Sequence, residues 1–139
     1  MRKKLIHSML MLSFTAIVLS LLFVLPWLNE AFQQRTYDEL RSITAGIESS
    51  FIRSGTTQAF LSDLKNALPG FRISWIDADG KVLYDSGMED TAEMENHFAR
   101  EEIAAAMKSG EGTASRHSSS MGENTFYYAR RMPDDTVLR

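Results

Sequence analysis

Glu95 and His97 stand two residues apart in a polar stretch, with Asp85 upstream, and all three residue types ligate divalent metals. The spacing argues against such a site. A helical metal site of the H-E-x-x-H kind places its histidines four apart, and no further histidine lies near this group. We read no metal site here. Asn96 and His97 instead suit hydrogen bonding to backbone groups in a loop ahead of a helix, and Asp85-Ser86 suits the end of a strand. Between Asp77 and Glu102 nine acidic residues meet only Lys81 and Arg100, which reads as a solvated acidic face. His7, His97 and His117 accompany no serine or cysteine in a nucleophile motif. Gly110-Glu111-Gly112 follows a helical pattern, whereas a phosphate loop precedes one. Met88, Met94, Met107 and Met121 read as packing residues. The chain carries no catalytic constellation.

The elements that position these residues begin with an apolar run. The chain has 139 residues, 24% charged and 44% hydrophobic, which suits one folded domain and excludes a disordered tail. From Leu5 to Leu28 no residue is charged, and Arg2, Lys3 and Lys4 precede the run. As a helix this stretch is ~36 Å long, enough for a hydrocarbon core of ~30 Å. A cleaved secretory signal has a shorter apolar region and a small-x-small site, and here the run ends Pro26-Trp27-Leu28-Asn29-Glu30. The expectation is an uncleaved, single-pass anchor in the cell (plasma or inner) membrane, with residues 1–4 in the cytoplasm, 5–28 in the bilayer and 29–139 outside. Residues 29–139 hold 12 basic and 18 acidic residues, the wrong balance for a nucleic-acid binder. With no cysteine, the outer part has neither disulfide nor thiolate site.

Past the membrane run, Phe32, Tyr37, Leu40, Ile43, Ile47 and Phe51 recur at mostly helical spacing, so the helix continues outward as a linker over 29–56. Its apolar face either covers its own domain or meets a second copy as a homodimer. Ser54-Gly55-Thr56-Thr57 breaks the pattern and offers an N-cap for a helix bearing Phe60, Leu61, Leu64 and Leu68. The period then changes to two. Phe71, Ile73 and Trp75 alternate with Arg72, Ser74 and Ile76, and Asp77-Ala78-Asp79-Gly80 turns the chain into Lys81–Asp85. Asp90 and Glu93 are spaced to cap a single turn, and Ala99–Ser109 reads as a helix closed by Gly110. Strands over 112–118 and 124–132 follow, joined by a loop around Met121-Gly122. Pro133-Asp134-Asp135 turns into a fifth strand, cut short at Thr136–Arg139. The pattern predicts an α+β fold: a meandering antiparallel sheet with helices on one side.

Residues 71–118 carry a family resemblance. The segments RISWIDADGKVLYDS and MENHFAREEIAAAMKSGEGTASRHS resemble the extracytoplasmic sensor region of phosphate-regulon-type sensor histidine kinases. The matching positions are Asp77, Gly80, Asp85, Ser86, Met94, Glu95, Asn96, His97, Arg100, Glu102, Gly110, Gly112, Arg116 and Ser118. Glu101 replaces a proline frequent in that family, and His117 stands where an aromatic is common. The resemblance implies a PAS-like (Cache-type) sensor domain over 57–139 with a truncated last strand and a sheet face that holds a ligand. Trp75, Tyr84, Arg116, Tyr127 and Tyr128 could line that site or simply fill the core. Strand parity sends Tyr127 and Tyr128 to opposite faces.

The implied function is the sensory input of a two-component histidine kinase, answering to a small molecule or a protein. A response regulator, ATP and Mg would belong to kinase modules outside this chain, which itself needs no cofactor. The alternatives are a ligand-binding Cache-type module of a chemoreceptor or cyclase, or a non-enzymatic membrane-anchored interaction domain.

Overall fold

The computed structural model describes residues 2–54, 58–118 and 123–139. The chain divides into two compact units, Met1–Thr36 and Tyr37–Arg139. Helix α1, Arg2–Ser54, contributes to both. In the first unit its large apolar side chains from Leu5 to Leu28 are unburied. By length and composition α1 is able to cross a membrane. Thr15 Oγ1 donates to carbonyls of its own helix, Leu12 at 2.8 Å and Met11 at 3.0 Å. Pro26 lies inside the helix without ending it.

The second unit contains the remainder of α1, then α2 (Gln58–Ala67), β1 (Ser74–Ile76), β2 (Val82–Asp85), α3 (Glu101–Ser109), β3 (Glu111–Ser118), β4 (Glu123–Arg131) and β5 (Val137–Leu138). The five strands form one antiparallel sheet in the order β2-β1-β5-β4-β3. The expected meander is therefore corrected: β5 threads between β1 and β4. Val137 and Leu138 are both buried, and only a central strand of a covered sheet can bury consecutive residues on opposite faces.

The same reasoning corrects the helix placement. Alternation along β1 and β5 puts apolar residues on both faces, so helices cover both. On one face Ile73, Trp75, Leu138 and Met132 pack with Ile47 of α1 and Leu61 of α2, joined by Ile43, Phe51 and Leu64. On the other, Ile76, Val82, Ala129 and Val137 pack with Ile103 and Ala106 of α3. The apolar stripe of α1 thus covers its own domain.

Local chemistry sets the turns. Asp77 Oδ1 accepts from the backbone N–H groups of Asp79 at 2.9 Å and Lys81 at 2.8 Å, pinning the β1–β2 hairpin. Gly80 in that turn has φ 85°, and a Cβ there would strike Asn96 Oδ1 and the Phe98 backbone. One surprise is a bulge: Trp75 pairs with Tyr84 but Ile76 with Val82. Leu83 is the extra residue, so Val82 and Tyr84 face opposite sides despite their even spacing. Helix α3 has Glu101 and Glu102 in its first turn and Lys108 in its last, matching its dipole, and the Gly110 N–H closes on Ala106 O at 2.8 Å. Asp90 Oδ1 caps its turn through the Ala92 N–H at 2.8 Å. The proposed cap at 55–57 and the loop at 119–122 lie outside the described residues.

Candidate functional site

The sheet face under α3 gathers buried charge at one end. Glu102 sits in the first turn of α3 and is fully buried. Arg116 of β3 grips its carboxylate, with Nη2 on Oε2 and Nη1 toward Oε1. Arg139, following β5, brings Nε within 2.9 Å of Oε1. The pair is an ion contact only, because the Nε–H is not aimed at that oxygen and finds no hydrogen-bond acceptor. Both guanidiniums stack on Tyr127 of β4, Arg116 at 4.6 Å and Arg139 at 4.3 Å from the ring centroid. Burial pulls the Glu102 carboxyl upward, but hydrogen bonds from Arg116 and the nearby cations win and hold it below the usual range. Burial lowers the Arg139 guanidinium from its ordinary value.

A second buried carboxylate lies near β1 and β2. Asp85 accepts from Ser74 Oγ at 2.7 Å, Arg72 Nε at 2.9 Å and the Gly87 N–H at 2.9 Å. These contacts, opposing burial, hold it below its ordinary range. Ser86 closes the strand, its Oγ accepting from the Ile73 N–H at 2.9 Å. His97 completes the group. Its N–H bonds Gly80 O at 2.8 Å, its carbonyl accepts from the Arg100 N–H at 2.9 Å, and its ring is 2% exposed with Nδ1 unpartnered. Burial, with Arg100 and Arg139 nearby, pushes the imidazole down to about 4, so it is neutral at ordinary pH.

A cavity of about 630 Å3 opens between β1 and β4, reached by His97, Arg100 and Arg139 on the α3 side and by Leu40, Ile43 and Tyr128 on the α1 side.

Of the residues singled out from sequence, Arg116 and Tyr127 come together here. Tyr128 faces α1, as parity requires, and its hydroxyl bonds Glu111 Oε2 at 2.8 Å. Trp75 stacks on Phe51 at 5.0 Å, and Tyr84 donates to Leu61 O at 3.2 Å, both in the core on the α1 face. Asn96 bridges the loop, giving Nδ2 to Asp79 O and taking the Phe98 N–H on Oδ1, each at 2.8 Å. Met94 packs beside the α3 core and Glu95 is exposed. Arg100 is the residue before α3 and supplies no side-chain cap. Among the described residues no three potential metal ligands converge. Sequence pattern does not single out Arg139 as a site residue; its one signal is the parity of β5, which aims it with Val137 toward α3. Arg41 and Glu111, joined at 2.7 Å, carry no such signal.

A family model described as Single Cache-like matches residues 28–137. No curated protein sequence matches the chain. Among solved structures, the fold is similar to the Bacillus subtilis YkuI protein, a crystal structure with an EAL domain in complex with substrate c-di-GMP and calcium. The identity is 14% and the TM-score 0.50, over 73% of this chain and 30% of that one, a likeness of fold alone.

Proposed function

Because this chain belongs to the single Cache-like family, we propose that it is the extracytoplasmic sensory input of a membrane-anchored, phosphate-regulon-type histidine kinase. The observation that carries the reading is the order along the chain. Basic residues, then a helix long and apolar enough to cross a membrane, precede a Cache-like unit whose core includes the later turns of that same helix. Residues 1–4 stay in the cytoplasm, 5–28 cross, and 29–139 face outward. Occupancy of the sensor unit, by a small molecule or a protein segment, shifts the packed turns of α1 against the sheet. The kinase module, with its ATP and Mg, and the response regulator answer on the inside.

The Arg116–Tyr127–Arg139 stack and His97 supply the cationic and aromatic groups that such a site uses; Trp75, Tyr84 and Tyr128 act through packing. The test grafts residues 1–139 onto a kinase core lacking its own input and reads autophosphorylation in membranes during phosphate limitation. Kinase output that follows the graft supports the reading. Output indifferent to it favours a chemoreceptor or cyclase module, or a non-enzymatic membrane-anchored interaction domain.

A further inference from the structure

Every described residue from Gly87 to Arg100 is exposed or half-buried except His97. The same residue carries the backbone bonds that fasten this segment at its far end. Its N–H donates to Gly80 O in the β1–β2 turn at 2.8 Å, and its carbonyl accepts from the Arg100 N–H at 2.9 Å, directly ahead of α3. Asn96 adds a second hold on that turn, through Nδ2 on Asp79 O. A leucine or phenylalanine would plug the interior at this position without a polar atom. The imidazole instead leaves Nδ1 buried and without a partner, a cost that packing alone does not call for. Charged groups face the ring from each element around it: Asp85 of β2, Arg100 before α3, Glu102 within α3 and Arg139 after β5. Neither carboxylate is free. Asp85 already accepts from Ser74, Arg72 and the Gly87 N–H, and Glu102 is held by Arg116 with Arg139 beside it. The two guanidiniums present like charge. A proton on the ring therefore meets repulsion and no unclaimed acceptor inside, whereas water accepts both ring N–H groups outside.

We propose that His97 is an acid-operated latch: a proton on its ring releases the segment from Gly87 to Arg100 from the β1–β2 turn, while the sheet beneath stays paired. Release swings the imidazole into water and gives up the bonds to Gly80 O and Asp79 O, together with the packing of Met94. The strand pairing and the contacts of Ile103 and Ala106 with the sheet do not pass through this segment. The neutral ring holds the segment closed above the open-state value of 6.5, and that hold weakens as the pH falls toward about 4. The inference goes beyond the sensor proposal and holds whatever output the domain serves: it adds the proton as a signal that the unit registers.

The test uses the full chain in nanodiscs and reads amide hydrogen exchange, corrected for the intrinsic rate at each pH, in peptides covering 94–100 and 123–131. Between pH 7.5 and 5.0 protection of 94–100 falls by about 25-fold, the factor that follows from a ring value of 6.5 when open and about 4 when closed. The fall begins near pH 6.5. At either pH about 1 M urea leaves protection of 94–100 unchanged, because releasing a short segment exposes little surface, while protection of 123–131 drops. His97→Gln removes the pH dependence. Urea sensitivity in 94–100 as steep as in 123–131 makes the opening global and overturns the latch. A fall confined to pH values below about 4.5 belongs to the Asp85 or Glu102 carboxylate and overturns it too. So does a pH dependence that survives in His97→Gln. Should that variant not fold, the urea and pH arms of the native chain decide alone.

Discussion

Tyr128 and Glu111 join the two longest strands of the sheet on the face that α1 covers: the Tyr128 hydroxyl donates to Glu111 Oε2 at 2.8 Å. The same carboxylate receives Arg41 of α1, Nη2 on Oε1 at 2.7 Å and Nε on Oε2 at 3.2 Å. Next to it Arg130 of β4 pairs with Glu48 of α1 at 2.7 Å. Helix α1 is therefore tied to β3 and β4 by polar bolts as well as by its apolar stripe. The Tyr128 bond first, and then Arg41, holds the Glu111 carboxyl below the usual range.

Tyr128→Phe keeps the ring and its packing but removes that bond. The expected loss is about 0.5–1.5 kcal/mol in a denaturant melt, because Glu111 is half exposed and water replaces the lost donor. A loss above about 3 kcal/mol would show that the ring itself had moved.

Glu102→Gln leaves the Arg139 guanidinium, with a side chain 8% exposed, without its counter-charge. Breaking one side of a buried pair costs about 3 kcal/mol. Arg116→Met costs less, since the buried Glu102 carboxylate keeps the Arg139 guanidinium at 2.9 Å as its counter-charge. Thermal melts that rank the two variants the other way would reject this account.

His97 makes stability depend on pH. Its folded value is depressed from 6.5 to about 4, so between those limits the unfolded chain binds the extra proton. Stability is full above about 6.5, falls as the pH drops toward 4, and loses about 3 kcal/mol in all. Asp85 and Glu102, both depressed, contribute only below their ordinary carboxylate values. Melts at pH 7.5, 6.5, 5.5 and 5.0 should slope for the native chain and lie flat for His97→Gln. Parallel slopes would assign the effect elsewhere.

Two glycines predict opposite outcomes. A Cβ on Gly112 would collide with the Glu102 carbonyl and the Ala105 methyl, so Gly112→Ala forces α3 off the sheet and costs about 1–3 kcal/mol. Gly46 lies within α1 with nothing within 4 Å, and Gly46→Ala adds about 0.5–1 kcal/mol. Melting both variants checks the close approach of α3 to β3 against a position that has room.

If α1 is the homodimer seam, its contacts fall on the side away from the sheet. Ser42, Ala45, Ser49 and Ile52 are exposed there at steps of three and four, whereas Ile47 is buried and Ile43 half-buried. Since the chain has no cysteine, Ala45→Cys and Ile52→Cys should crosslink between copies in membranes, and Ile43→Cys and Ile47→Cys should not. Absence of crosslinks at every position would remove the helix from the dimer.

Periodicity and turn chemistry are local properties, so the amino-acid sequence alone determines them. The uncharged run to Leu28, the helical stripe of α1, the Asp77–Gly80 hairpin and the capped α3 all follow from neighbours a few residues apart, and all stand. Parity alone separated Tyr127 from Tyr128. What tertiary structure decided is everything that depends on which strands meet. Pairing β5 with both β1 and β4 put the sheet in a non-sequential order and required cover on both faces. The Leu83 bulge broke a parity that even spacing implies. The same pairing carried Arg139 to Glu102 and Tyr127, residues distant in sequence, and buried their charges together. A single residue's type records its tolerance for burial or solvent, but the partner that offsets the burial of a charge is chosen only when the strands align.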